Sequence, residues 1–229
     1  MEISKRTIEV LKNFSTINQS IFYNPEAHGN MFITKAVAGN IIASAEIAET
    51  FPVEFAIFNI NEFLSSLTLF NKPDLEFEDK YVTIREAGSK RGGLKFFFCN
   101  PALIASPKKK PTAPEANFSF NLYGEQLAQI EKSAKVLNVE DLVLYGDSEG
   151  VHVIVTNKAN STSNDFEITL SNDSQGEFKY FFKQPNWKFI NGNYKVGISV
   201  KETDAGITGV GFFTSEDGTL KYGVGLERV

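Results

Sequence analysis

The chain has 229 residues, of which 42% are apolar and 22% charged, as expected for a folded protein of about two domains. It has one cysteine, no apolar run near the roughly 20 residues of a membrane span, and no signal-peptide pattern, so a cytoplasmic protein is expected. The net charge of −5 excludes a surface that attracts nucleic acid everywhere, but not one basic face.

The first part of the chain is predicted to consist mainly of strands with two helices. Apolar residues recur at helical spacing over residues 4–17, and a second helix is predicted over residues 61–69. Short apolar or alternating runs between turn residues predict strands over residues 21–23, 31–37, 41–47, 53–58, 75–77, 81–84 and 94–98.

Residues 107–117 are predicted to connect two domains, 1–106 and 118–229. Four prolines between residues 101 and 117, with the lysines at positions 108–110, make this region stiff, polar and extended. A solvated connector explains the three lysines better than a nucleic-acid patch does.

The second domain restarts with an alternating strand over residues 118–122 and a helix over residues 124–137. Further strands are predicted over residues 142–145, 151–156, 166–170, 178–182, 194–200, 207–213 and 220–226, with a short helical turn over 184–190. Helix ends, turns and strands of the two halves recur at an offset of about 120 residues, which indicates tandem domains of one fold.

Basic residues lie opposite the apolar face of corresponding helices in both halves. Lys5 and Lys12 are nearly eclipsed on the first helix, and Lys132 and Lys135 share a face of the helix over residues 124–137. This pattern is compatible with DNA contact. It also fits an ordinary solvated surface, because acidic residues dilute both faces; they are Glu9, Glu125 and Glu131.

No set of residues for catalysis or metal binding is predicted. The only histidines are His28 and His152, and Cys99 is alone, so neither a His/Cys metal site nor a His-based nucleophile is supplied. The glycine-rich segment 88–93 lacks the Gly-Lys-Ser/Thr ending of a phosphate-binding loop. A binding or scaffold protein without enzymatic activity or cofactor is therefore expected.

Five segments carry a resemblance to a known family: residues 11–18, 31–37, 55–59, 61–64 and 192–195. With these, the chain resembles the sliding clamps, or DNA polymerase processivity factors, of T-even-type bacteriophages. The likeness is good over residues 3–70, patchy over 75–117 and thinner beyond.

The resemblance implies an α+β DNA-clamp fold, with two similar β-rich domains that each contain two helices. It further implies a head-to-tail homotrimeric ring whose helices line a hole for double-stranded DNA, without sequence preference. An ATP-driven clamp loader would load the ring, and the polymerase would insert a hydrophobic tail into a pocket near the connector. The location would be the cytoplasm of an infected bacterium.

Three sets of site residues are expected on this basis. The DNA-facing channel set comprises Lys5, Arg6, Lys12, Lys132, Lys135, Lys183 and Lys188. The partner pocket set comprises Val37, Ile41, Tyr222 and Val224. The subunit interface is expected where residues 94–98 of one protomer meet residues 166–170 of the next, with Phe96, Phe98, Phe166 and Ile168.

Two other functions fit parts of the sequence. A structural β-rich oligomeric virion protein would also be rich in Phe and non-catalytic, but would not need basic groups on equivalent helices of duplicated domains. A single-stranded nucleic-acid binder would expose aromatic side chains between basic ones, whereas most Phe residues here fall in strand runs typical of a core.

Overall fold

The computed structural model of the protein describes residues 1–203 and 206–227, with Thr203 described by its backbone only. The chain divides into two compact units, Met1–Pro111 and Thr112–Val229. The division falls inside the segment 107–117, whose residues form neither helix nor strand.

Unit 1 combines helices with short antiparallel strands. Its elements are α1 (Lys5–Ile17), β1 (Ile21–Tyr23), α2 (Pro25–His28), β2 (Met31–Lys35), β3 (Ile41–Glu46), β4 (Phe55–Ile57), α3 (Ile60–Leu67), β5 (Pro73–Phe77), β6 (Tyr81–Glu86) and β7 (Leu94–Phe97). Strand β1 pairs with β4, β2 pairs with β3, and β6 lies between β5 and β7. A 3-10 turn at Pro101–Leu103 follows.

Unit 2 contains one long helix and two antiparallel sheets among its described residues. Its elements are β8 (Phe118–Leu122), α4 (Gly124–Leu137), β9 (Asp141–Gly146), β10 (Val151–Thr156), β11 (Phe166–Ser171), β12 (Phe178–Lys183), β13 (Tyr194–Thr203), β14 (Gly206–Ser215) and β15 (Leu220–Gly225). One sheet has the order β11-β10-β9-β12. In the other, β8 pairs with β13, β13 with β14 and β14 with β15.

Equivalent strand pairs in the two units support the tandem duplication. Helix α1 precedes β1, which pairs with β4, just as α4 precedes β9, which pairs with β12. The triplet β5-β6-β7 corresponds to β13-β14-β15. The backbone amide of Leu75 donates to the carbonyl of Met1, so Met1 lies beside β5 as β8 lies beside β13.

The expectation of two helices in each domain is wrong in detail for unit 2. Where unit 1 has α3, unit 2 has only a 3-10 turn at Gln184–Asn186. The amide of Ile190 donates to the hydroxyl of Tyr222, at 3.1 Å, rather than to a carbonyl one helical turn earlier. Pro185 lies in the first turn, where a helix tolerates proline, and the turn ends because the backbone leaves helical geometry at Trp187, with φ of −85° and ψ of 67°.

The excess of Phe is explained by an aromatic core in each unit. In unit 1, Tyr23, Phe32, Phe51 and Phe55 are buried with ring centroids 5.1–6.3 Å apart. In unit 2, Phe189 lies 4.4 Å from Phe213 in a buried cluster that includes Trp187 and Tyr222. These rings pack with each other and are therefore not available to stack on unpaired bases.

None of the described helices is long and apolar enough to cross a lipid bilayer.

Candidate nucleic-acid interface

Helix α1 is fixed at its N-terminus by a side-chain cap and a carboxylate. The hydroxyl of Ser4 accepts from the amide of Thr7 at 3.2 Å. Glu49, from the loop after β3, accepts from the amide of Ser4 and from the Thr7 hydroxyl. Burial opposes ionisation of Glu49, but these hydrogen bonds outweigh it and hold the pKa of Glu49 below its usual value. An ionised carboxylate thus lies at the positive end of the helix.

The packing of α1 leaves its basic side chains in solvent. Val10, Leu11, Phe14 and Ile17 are buried, because apolar residues at helical spacing face the strands below. Lys5 and Lys12 are exposed on the opposite side and form no ion pair among residues 1–203 and 206–227. Arg6 is also exposed, but it is bound to Glu9 at 2.7 Å.

Helix α4 is anchored to both sheets of unit 2 through polar contacts at its first turn. The amide of Gly124 donates to Asn193 at 3.0 Å, and the side chain of Gln126 accepts from the amide of Tyr123 at 2.9 Å. The same Gln126 side chain donates to the carbonyls of Thr169 and Leu170. Asn138 ends the helix in a left-handed conformation with φ of 54°.

The buried face of α4 is formed by Leu127, Ile130 and Ala134. Lys132 and Lys135 are exposed away from it, and neither forms an ion pair in the part of the chain that the structure describes. The corresponding helices of the two units therefore each present two unpaired ammonium groups to solvent.

The two helices differ in charge. Helix α1 carries three basic residues against Glu9, whereas α4 balances two lysines with Glu125 and Glu131. Helix α3 adds no basic residue, and its exposed positions include Glu62. A phosphate-facing surface made of these helices would be only weakly basic, with most of its positive charge on α1.

Lys183 does not have the free ammonium group expected of a channel lysine. Its Nζ lies 2.7 Å from Oδ1 of Asp141, a directly paired residue on β9. This hydrogen bond to Asp141 raises the pKa of Lys183 despite the opposing effect of burial. Lys188 is half-buried behind the 3-10 turn, next to the buried Trp187. The well-exposed members of the predicted channel set are thus Lys5, Arg6, Lys12, Lys132 and Lys135.

Three of the four residues predicted for the partner pocket are core residues. Ile41, Tyr222 and Val224 are buried, with Tyr222 only 1% exposed in the aromatic cluster of unit 2. Their strands turn these side chains inward, so they cannot line an open surface of the unit to which they belong. Val37, in the turn between β2 and β3, is 88% exposed and can contact a partner.

The predicted interface strands β7 and β11 are edge strands of their sheets. Within the described residues β7 pairs only with β6, and β11 pairs only with β10. Phe96 packs against Phe63 of α3 at a centroid distance of 5.3 Å, and Phe98 stacks on Phe55 at 5.4 Å. Phe97 points to the other face and is 67% exposed.

Sequence reasoning missed a contact that fixes the start of the connector. His28 of α2 is buried, and its Nε2 lies 3.0 Å from the carbonyl oxygen of Pro107. The signal for α2 was present, since Asn24 followed by Pro25 is an N-cap with proline in the first turn. No group of three or more His, Cys, Asp or Glu suited to a metal ion occurs among the described residues.

Comparisons with known proteins find related family models for both units. Residues 4–93 match the family model described as DNA polymerase processivity factor, and residues 119–227 match that of the gp45 sliding clamp, C terminal. A sliding clamp of Vibrio phage KVP40 is 32% identical over 204 residues, which cover 86% of this chain and 90% of that protein. A sliding clamp of Enterobacteria phage T4 is 28% identical over 88% of each chain.

The crystal structure of proliferating cellular nuclear antigen from Entamoeba histolytica superposes with a TM-score of 0.65. The likeness covers 96% of this chain and 94% of the other at 12% sequence identity. The architecture is therefore that of the DNA sliding clamps, which confirms the predicted fold class.

The chain belongs to the phage sliding-clamp family of DNA polymerase processivity factors, as the family matches in both units and the KVP40 relative show. It is accordingly a scaffold for replication and not an enzyme.

Proposed function

We propose that three copies of this chain close head to tail into a ring around duplex DNA and tether the replicative polymerase to it. Loading by an ATP-driven clamp loader, in the cytoplasm of an infected bacterium, is part of the proposal. The observation that carries it is the pair of corresponding helices, α1 and α4, each with two exposed lysines that have no ionic partner in the described chain.

The weak positive charge of these helices suits a protein that must slide. Each phosphate neutralised by a lysine releases counterions and adds affinity that depends on salt. A ring is held by topology and does not need that affinity. A few lysines facing the duplex, in a chain of net charge −5, give weak contact without sequence preference and discourage DNA from binding elsewhere.

Head-to-tail closure requires two different surfaces on each protomer. The free edges of β7 in unit 1 and β11 in unit 2 supply such a pair, since an exposed strand edge can add a further strand through main-chain hydrogen bonds. Two such edges, one for each neighbouring protomer, are the minimum that a closing ring of identical chains needs.

The polymerase tail is proposed to bind beside the connector. Residues 108–110 of the connector are exposed lysines, and Val37 is an exposed apolar side chain. His28 fixes the entry of the connector at Pro107, so a partner would meet a segment whose starting point is defined. The buried residues Ile41, Tyr222 and Val224 have no part in this site.

Primer extension tests the function directly. With loader, ATP and polymerase, adding the protein is expected to lengthen the products at a fixed polymerase concentration. Loaded protein should remain on circular or end-blocked DNA at high salt and leave linear DNA with open ends. Unchanged product length, or equal retention on open and blocked ends, would contradict the proposal.

Charge reversal on the helices tests which residues face DNA. The double variant Lys12→Glu/Lys132→Glu is expected to lower loading on primed circular DNA about 10-fold at low salt, since two favourable phosphate contacts per protomer become repulsive. Trimer formation should be unchanged, because both side chains are exposed and unpaired in the described chain. Lys80→Glu, an exposed lysine in the turn between β5 and β6, is the matched control.

If the Lys12→Glu/Lys132→Glu protein loads as efficiently as the Lys80→Glu control, these two lysines do not face the DNA.

A further inference from the structure

The edges of β7 and β11 have no main-chain partner in the described chain, whereas other edges have partial main-chain partners. The Leu75 amide of β5 donates to the Met1 carbonyl, and the Glu227 amide donates to the Phe181 carbonyl of β12. Strand β4 is flanked by Cys99, whose amide donates to the Ala56 carbonyl. No such main-chain bond is found on the outer side of β7 or β11 in residues 1–203 and 206–227. On β11 the Gln126 side chain donates to the Thr169 and Leu170 carbonyls, which leaves the edge of residues 166–168 open.

The two faces of β7 differ in chemistry. Leu94 and Phe96 lie on the face covered by α3, where Phe96 meets Phe63. Lys95 and Phe97 lie on the outer face, both exposed. The Nζ of Lys95 is held 4.5 Å above the ring of Tyr81 and 3.4 Å from its hydroxyl, so the ammonium group stays on that face.

Strand β11 has a matching pair of faces. Phe166, Ile168 and Leu170 alternate on the face towards α4, and the first two remain partly exposed. Glu167 and Thr169 lie on the outer face with Tyr145 and His152 of the neighbouring strands. Both edges are thus apolar on the helix-covered side, while the outer side is basic on β7 and acidic on β11.

We propose that Lys95 of one protomer lies directly opposite Glu167 of the next, in an antiparallel pairing of β7 with β11 that joins copies of this chain. The inference rests on the proposed function, because it names the contact that sets the register of the ring interface. The same register places Phe96 opposite Phe166 and Leu94 opposite Ile168. Antiparallel pairing is favoured because every described ladder of the chain is antiparallel.

Neighbouring registers fit less well. A slip of one residue would set Phe96 opposite Glu167 and turn the apolar set to the wrong face. A slip of two residues in one direction places Lys95 opposite Asp165 and Phe96 opposite Asn164, which lies outside β11. A slip of two in the other direction places Leu94 opposite Leu170, which is already buried within its own unit.

The environment of Glu167 favours a cationic partner. The hydroxyl of Tyr145 donates to one carboxylate oxygen of Glu167, and this bond raises the pKa of Tyr145 to about 12. Like any tyrosine, Tyr145 is protonated at neutral pH, and its hydroxyl holds the carboxylate in place. The second oxygen of Glu167 has no partner in the part of the chain that the structure describes.

A charge swap tests the pairing. Lys95→Glu and Glu167→Lys, each alone, are expected to raise the dissociation constant of the trimer about 10-fold per interface, because like charges directly opposite destabilise paired strands. The double variant restores opposite charges and should return to within about 3-fold of the unmodified protein. Sedimentation over a range of protomer concentrations measures the dissociation constants of the two single variants and of the double variant.

Lys72→Glu and Glu140→Lys are the matched controls, since both residues are exposed and precede β5 and β9, which lie two strands away from β7 and β11 in their sheets. The rescue separates an interface effect from a folding defect, including loss of the Tyr145 contact in Glu167→Lys. The pairing is overturned if the singles behave like the controls, or if the double variant is no better than the weaker single.

These outcomes are distinct from failure of the proposed function. If the unmodified protein forms trimers and lengthens primer-extension products while the swap has no effect, only the register is wrong. If the unmodified protein neither assembles nor lengthens products, the clamp function itself fails.

Discussion

Phe97→Pro is expected to leave the protomer folded and to abolish ring assembly, and with it the long products of primer extension. The amide of Phe98 donates to the Lys80 carbonyl beside β6, at 2.9 Å. Since amides alternate along a strand, the amide of Phe97 points to the free edge, where no described residue accepts from it. Proline there removes a donor that only a neighbouring protomer would use.

The expected weakening of the subunit interface is large because the proline ring also blocks the approach of the added strand. Leaving the opposing carbonyl of the neighbouring protomer without its donor costs about 1–3 kcal/mol, which corresponds to roughly a 10- to 100-fold weaker interface. Sedimentation of Phe97→Pro at micromolar concentration should show monomers. Its melting temperature should differ by only a few degrees from that of the unmodified protein, when both are diluted until both are monomeric.

Two control variants separate the backbone effect from the side chain. Phe97→Ala keeps the amide and should weaken assembly far less. Phe96→Pro removes an amide that faces β6 and should lower the melting temperature of the monomer itself. A trimer that persists in Phe97→Pro at concentrations near the dissociation constant of the unmodified protein would mean that β7 is not an assembly edge.

Local patterns in the sequence predicted the helices well. The helix predicted over residues 124–137 is α4 with the same bounds, and that over residues 4–17 is α1 after its N-cap Ser4. Both are strongly amphipathic, and periodicity depends only on neighbours within two turns. For the same reason the exposed lysines of these helices could be predicted from spacing alone.

Strand positions were also predictable, but the facing of strand residues was not. In the run 94–98 most residues are apolar, so alternation does not decide which face is buried. Phe96 and Phe98 proved to pack inward, and the exposed Phe97 was missed. Tyr222 and Val224 likewise fit either face of β15 until its pairing with β14 is known.

Contacts between distant positions in the chain were beyond the reach of local patterns. The pair formed by Lys183 and Asp141 joins residues 42 positions apart, and that of His28 with Pro107 joins residues 79 apart. Neither pair has a sequence signature, because each depends on which strands or segments become neighbours. The first removed Lys183 from the set of free channel lysines, and the second showed where the connector is held.

Asp141→Ala is expected to destabilise unit 2 more than any exposed substitution. The Asp141 side chain is 8% exposed, and it accepts from the Lys183 ammonium at 2.7 Å and from the Lys158 amide at 2.9 Å. Removal leaves the Lys158 amide without its acceptor, while the half-exposed Lys183 can regain water. We therefore expect a loss of about 2 kcal/mol in the free energy of unfolding at pH 7.

The effect of Asp141→Ala should depend on pH in a defined direction. Burial of Asp141 would raise its pKa, but the hydrogen bonds from Lys183 and Lys158 outweigh burial and lower it. The ionised carboxylate therefore stabilises the fold at pH values above the unfolded-state pKa of about 3.9, and this stabilisation is lost as pH falls through the folded-state pKa. Urea denaturation at one protomer concentration measures the free energy of unfolding of the variant and of the unmodified protein. The difference between the two should become smaller below pH 4. Asp79→Ala, at an exposed turn, is the control and should unfold with the same free energy as the unmodified protein. If the loss of unfolding free energy in Asp141→Ala does not depend on pH, packing and not charge gives Asp141 its stabilising effect.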